Sequence, residues 1–175
     1  MEALHQNYES TGSIAATVKA EAHNEVQGGS TGTLDFKKQK DLNAVTGITA
    51  WVADGPGNYS DRKVVRGIEI TWKDGTTRLM GLKKGDSSVH SFDSDETVKS
   101  MSLWTGDLVD RIKIETTRTT WEQGGKEAES TKSGKTGGSE HVQKVGNGIL
   151  LGFEGTSNND GLVSLGAIFK ETSDE

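Results

Sequence analysis

The chain has 175 residues, one proline, no cysteine and a formal charge of −6, a length that favours one domain and a composition that excludes a disulfide framework and thiol chemistry. The negative balance leaves no Lys/Arg stripe to displace counterions from a phosphate backbone, which excludes nucleic acid as a partner. No apolar run approaches the ~20 residues of a membrane-spanning helix, and without a signal-peptide pattern the expected location is cytoplasmic, with secretion by another route left open.

Residues 1–27 read as an N-terminal extension, polar from Met1 to Ser13 and alanine-rich from Ile14 to Ala22, where a short helix or an extra strand would fit. The tract Gly28-Gly29-Ser30-Thr31-Gly32-Thr33 is glycine-dense enough to let a ligand approach main-chain N–H groups, or to serve as a flexible linker. Strand-like runs then begin at Val45, Val98 and Ile149, 53 and 51 residues apart. Each precedes a signature strand: Arg66-Gly67-Ile68-Glu69-Ile70, Asp110-Arg111-Ile112-Lys113-Ile114 and Val163-Ser164-Leu165-Gly166-Ala167. Apolar residues two and four places after the first share one face of a strand, and the near-constant spacing marks a triplicated unit. A lone hairpin cannot bury enough surface to fold, so the three must share one interior. Ile68, Ile70, Ile112, Ile114, Leu165 and Ala167 are expected inside, with Glu69, Lys113 and Ser164 turned away. Without sustained helical spacing after residue 27, and with many Gly, Asn, Asp and Thr residues, the domain reads as all-β. Residues 124–148 read as a long mobile loop, and 171–175 as a C-terminal tail.

The first residue of each signature strand differs: Arg66, Asp110, Val163. Only the middle one is a carboxylate, and it ends Gly106-Asp107-Leu108-Val109-Asp110, a G-x-x-x-D loop. The glycine permits a tight turn that aims N–H groups inward, and the carboxylate accepts hydrogen bonds from vicinal hydroxyls, a pairing that suits a sugar. The plainer alternative is that Asp110 caps the turn or pairs with a nearby cation. Trp104 suits a platform for a pyranose face or a place in the core. A second literal match, Gly57 to Asp61, is out of register, because Asp61 stands seven residues before Ile68 whereas Asp110 stands two before Ile112. His5, His23, His90 and His141 lack metal-ligand spacing, no serine sits in a nucleophile elbow, and Asp93-Ser94-Asp95-Glu96 reads as a solvated turn. Nothing here calls for a cofactor, a metal or catalysis.

In this order and spacing, Gly28-Gly29-Ser30-Thr31-Gly32, Val45 to Ile48, Gly67 to Thr76, Leu108 to Thr116 and Leu150 to Ser157 resemble the jacalin-related lectin domain family over about residues 28–170. The resemblance implies a β-prism of three four-stranded Greek-key sheets with pseudo-threefold symmetry, and non-catalytic binding of hexose units, mannose/glucose-type or galactose-type. The family's principal sugar site joins the glycine loop to a G-x-x-x-D loop entering the last strand; the matching stretch here, Asn159-Asp160-Gly161-Leu162-Val163, has changed at both signature residues. The implied site is therefore Gly106, Asp107, Leu108, Val109 and Asp110, with Gly28, Gly29 and Asp160 as the other candidate contacts. The implied partners are glycans or glycoconjugates, with a homo-oligomer or a fused partner supplying avidity. The alternative is a β-prism that has lost sugar binding and serves as an interaction or targeting module of a larger defence protein or toxin.

Overall fold

The computed structural model describes residues 20–129 and 131–171. In chain order the strands are β1 (Glu21–His23), β2 (Gln27–Gly28), β3 (Leu34–Gln39), β4 (Val45–Asp54), β5 (Arg62–Trp72), β6 (Thr77–Gly81), β7 (Asp86–Ser91), β8 (Val98–Thr105), β9 (Val109–Thr116), β10 (Thr120–Gly124), β11 (Lys126–Glu127), β12 (Ser139–Gln143), β13 (Leu150–Asn158) and β14 (Gly161–Lys170), with a 3₁₀ turn at Gly57–Tyr59.

Three hairpins organise the molecule: β4–β5, β8–β9 and β13–β14. Each is the centre of one antiparallel sheet, ordered β11-β5-β4-β7, β10-β9-β8-β12 and β1-β14-β13-β3. In two sheets the outer lane is shared, since β6 pairs β5 beyond β11 and β2 pairs β14 beyond β1. The fourth strand of each of the first two sheets returns beside the first, the Greek-key order. Together the sheets form the β-prism that the resemblance implies.

The signature strands meet inside it. Ile68, Ile70, Ile112, Ile114, Leu165 and Ala167 are fully buried in one cluster with Trp72, Phe153 and Phe169; at ~1.5 to 3 kcal/mol for each large side chain, this shared core is what holds the three hairpins together. Glu69 and Lys113 are half-buried on the opposite faces. Ser164 is buried as well, because β2 pairs with it through Gly28; its hydroxyl bonds Thr156 Oγ1 at 2.6 Å.

The triplication extends to the backbone irregularities. Pairing skips Arg66 between Trp51/Gly67 and Val52/Val65, Asp110 between Trp104/Arg111 and Thr105/Val109, and Val163 between Thr156/Ser164 and Ser157/Leu162. The first residue of every signature strand is thus the extra residue of a β-bulge, a device that re-aims a side chain and sharpens twist.

Three expectations change. Residues 20–27 are built into the sheet rather than appended to it: β1 and β2 pair with β14, and the Asn24 side chain bridges Ala167 and Lys144 through bonds of 2.7 to 3.0 Å. Most of the alanine-rich run, residues 14–19, lies outside the described residues, as do His5 and residues 172–175. The tract expected as a long mobile loop contains β11 and β12, and β12 completes the sheet β10-β9-β8-β12 against β8. Its inward residues are polar, which hides the alternation, yet buried Gln143 accepts the Ala167 N–H at 3.0 Å. Glu96, expected in a solvated turn, is buried at the far end of the prism, where it accepts from His90 Nε2 at 2.9 Å, Thr116 Oγ1 at 2.5 Å and the Asp93 N–H at 2.9 Å. Burial works to raise its pKa, but the bonds from Thr116, Asp93 and His90 outweigh that and hold it below the usual range.

Candidate functional site

The three hairpin loops lie together at one end of the prism, where Val64, Leu108 and Val163, one from each hairpin, form a small apolar cluster with Tyr59 packed against it. Leu108 and Val109 are buried and serve to seat the Gly106–Asp110 loop. Gly106 and Asp107 are the exposed part of that loop, and the turn closes through Gly106 N–H to the Leu108 carbonyl at 3.1 Å.

Asp107 is a point of convergence. Tyr59 Oη donates to its Oδ2 at 2.7 Å, which raises the Tyr59 pKa because the bond favours the phenol. The Arg62 guanidinium lies 5.1 Å from the Tyr59 ring centroid. The glycine loop passes on the other side: a Cβ on Gly29 would stand 2.1 Å from the Asp107 carbonyl oxygen, so no larger residue fits, and the Gly29 N–H bonds the Val163 carbonyl at 3.1 Å. The structure therefore joins two expected elements, Gly28-Gly29 and Gly106-Asp107, and adds Tyr59. Tyr59 had no functional signal in the linear sequence, since it sits in the out-of-register Gly57–Asp61 stretch.

Asp110 lies behind this surface and is only 2% exposed. Arg62 Nε is 3.2 Å from its Oδ1, but the geometry is off-line and neither atom forms a hydrogen bond. Gly137 and Gly138 pack over the carboxylate so closely that a Cβ on them would stand 2.3 Å from Oδ1 and 2.9 Å from Oδ2 respectively. That covering stretch is fastened by Gly134 N–H to Glu127 Oε2 at 2.6 Å and by Lys135 to Asp61 at 3.0 Å. Burial pushes the Asp110 carboxyl up to about 6, Arg62 draws it down and Asp107 adds to the rise. The Lys135 hydrogen bond holds Asp61 below the usual carboxylate range. Residues 137–138 thus cover the Asp110 carboxylate, whereas Asp107 in the same loop is exposed.

Asp160 is held through its main chain. Its carbonyl accepts from Arg66 Nε at 2.7 Å, and its N–H donates to Asn158 Oδ1 at 2.8 Å. Trp104 is neither core nor open platform: it is half-buried, with the Arg111 guanidinium 4.2 Å over its ring. Among the described residues no group of three or more His, Cys, Asp and Glu could hold a metal ion, and no helix is long and apolar enough to cross a membrane.

Comparison with known proteins adds the family. The jacalin-like lectin domain model matches residues 24–168. Among solved structures the chain is similar to the lamprey immune protein, at 24% identity and a TM-score of 0.71, over 87% of this chain and 45% of that one. It is similar to Malaysian banana lectin at 18% identity and a TM-score of 0.62, over 86% and 99% of the two chains. It is also similar to a mannose-binding jacalin-related lectin from Ananas comosus at 17% identity and a TM-score of 0.63, over 86% and 99%. The chain thus spans under half the length of the lamprey protein and nearly all of the plant lectins. No curated protein matches it.

Proposed function

The chain belongs to the jacalin-like lectin domain family, and on that premise we propose that it is a non-catalytic carbohydrate-binding module for exposed hexose units of glycans. The observation that carries the reading is the convergence on Asp107. Its carboxylate uses one acceptor position on Tyr59 and keeps others for a hydroxyl pair, the Tyr59 ring supplies an apolar edge, and Gly29 brings main chain to the same point. The pineapple relative's description as mannose-binding makes a mannose-type hexose the first ligand to try.

Mannose, glucose and galactose titrated into wild type, Asp107→Ala and Asp110→Asn test this. A hydrogen bond to a charged group contributes ~1.5 kcal/mol or more, so Asp107→Ala should weaken binding about tenfold while Asp110→Asn keeps it. Undiminished binding by folded Asp107→Ala would remove the site from this place. One weak site would need self-association or a fused partner for useful avidity.

The second reading, an interaction or targeting module without sugar binding, is favoured by one observation: none of the three bulge residues offers an open acceptor, Arg66, Asp110 and Val163 all being buried. A glycan array silent for neutral and charged glycans would favour it.

A further inference from the structure

A cavity of about 570 Å³ opens between the β4–β5 loop and the β13–β14 turn, lined by Asp54, Gly55, Gly57, Arg66, Lys84 and Asp160 among others. It lies within the size range of small-ligand sites. Its floor is Arg66, the bulge residue that corresponds to Asp110 and Val163 in the other hairpins.

Arg66 is 4% exposed. Its Nε donates to the Asp160 carbonyl at 2.7 Å and its Nη1 to the Asp54 carbonyl at 2.6 Å. Both bonds go to main chain, so they fix the guanidinium from the two walls of the cavity without neutralising it, and they use two of its five N–H donors. Burial lowers the Arg66 pKa and the Asp160 carboxylate opposes that, yet a guanidinium keeps its proton. Lys84 stands exposed at the rim and forms no ion pair among the described residues. The lining thus offers two cations, one rigid and desolvated and one exposed at the rim, beside the Asp160 carboxylate.

We propose that this cavity binds an acidic sugar, with Arg66 and Lys84 holding the anionic substituent, a carboxylate or a sulfate ester, and Asp160 accepting from ring hydroxyls. The inference rests on the lectin reading only in taking the ligand to be a sugar; it concerns a different place from Asp107. Charge-assisted hydrogen bonds to a pre-positioned guanidinium are the strong kind, and a planar donor fork matches the geometry of carboxylate and sulfate. The Asp160 carboxylate beside Arg66 argues against a bare anion and for a ligand that brings hydroxyls with its charge. The net charge of −6 points the same way, because the field of the whole chain does not gather anions.

The test is a backbone amide NMR titration with glucuronic acid and galactose 6-sulfate, which separate the two anionic groups, and with glucose, acetate and inorganic sulfate as controls. At least one acidic sugar should shift the amides of Gly55, Gly57, Lys84 and Asp160, while glucose at the same concentration leaves them in place. Arg66→Met loses the clamp between two loops and can unfold for that reason, so Lys84→Glu is the deciding variant. It should keep the wild-type melting curve and bind the acidic sugar about tenfold or more weakly. Silence of these amides, equal binding by Lys84→Glu, or equal affinity for acetate or sulfate alone would each overturn the proposal. Shifts at Gly29 and Asp107 with neutral hexose but none around Lys84 would sink this inference and leave the Asp107 reading intact; the reverse pattern would do the opposite.

Discussion

Asp110→Asn separates the structural role of that residue from a binding role. The carboxylate is buried beneath Gly137 and Gly138, its contact with Arg62 at 3.2 Å lacks hydrogen-bond geometry, and its pKa stands at about 6 against the ordinary 3.8. The folded chain therefore holds this proton more tightly than the unfolded chain. Below about pH 4 the group is neutral in both states and costs nothing as a charge. Between about pH 4 and 6 the unfolded chain ionises while the folded one stays protonated, so stability falls as pH rises; above about pH 6 the loss is complete. A displacement of about two units corresponds to ~3 kcal/mol. Asparagine has the same shape and no charge to bury, so the variant should match wild type near pH 4 and exceed it by ~1 to 3 kcal/mol at pH 7.5, the lower figure allowing for the lost attraction of Arg62. Urea unfolding followed by tryptophan fluorescence at half-unit steps from pH 4 to 8 measures this. The difference between the two curves isolates Asp110 from groups such as Glu96 and Asp61, whose lowered pKa values tilt the wild-type profile the other way. A difference that does not change with pH, or a variant less stable than wild type at pH 7.5, would show that the Arg62 pair outweighs burial and refute the reasoning.

Glu96→Ala should destabilise by ~3 to 5 kcal/mol in thermal melts, since it strips partners from buried His90 and Thr116 and from the Asp93 N–H. Because the Glu96 pKa is lowered on folding, its contribution is present above the ordinary carboxylate range and should fade as pH falls through the folded value; denaturant midpoints for wild type and Glu96→Gln should converge there. Asn24→Ala should cost ~1 to 3 kcal/mol by chemical denaturation, because three side-chain bonds to Ala167 and Lys144 are lost. Gly29→Ala should force the glycine loop off Asp107, whose carbonyl oxygen would stand 2.1 Å from the new Cβ; amide shifts should concentrate at Asp107 and Val163, and hexose affinity should fall.

The signature strands were legible because their information is local: period-two alternation, repeated three times, places six residues in one core without reference to anything else in the chain. β12 was not, because Ser139–Gln143 is an edge strand whose membership depends on main-chain pairing to β8 and on Gln143 meeting Ala167. The same limit applies at the site. The G-x-x-x-D spacing singled out a loop that includes both Asp107 and Asp110, but exposure is a tertiary property. Whether Asp107 or Asp110 faces solvent depends on Gly137 and Gly138, which lie 27 and 28 residues after Asp110 in the chain. Tyr59 reaches Asp107 from another hairpin, a distance in sequence that no spacing rule records.

The bulge explains why one backbone position carries three chemistries. An extra residue inserted at the loop end turns its side chain out of the ladder and into the space between hairpins, and that space differs at each edge of the prism. Val163 meets Val64 and Leu108 and needs no polar partner. Arg66 meets the carbonyls of Asp54 and Asp160 and is hydrogen-bonded by both. Asp110 meets an off-line guanidinium and two glycines, leaving Oδ1 buried without a hydrogen bond. Buried polar atoms without partners are rare and costly, so selection for stability alone would favour an apolar residue there, as at Val163. The carboxylate, the Arg62 charge beside it and the glycines that alone can pack over it form a set whose members fit one another, and Asp110→Val should therefore be tolerated by the fold better than Gly137→Ala, whose added Cβ would overlap the carboxylate itself.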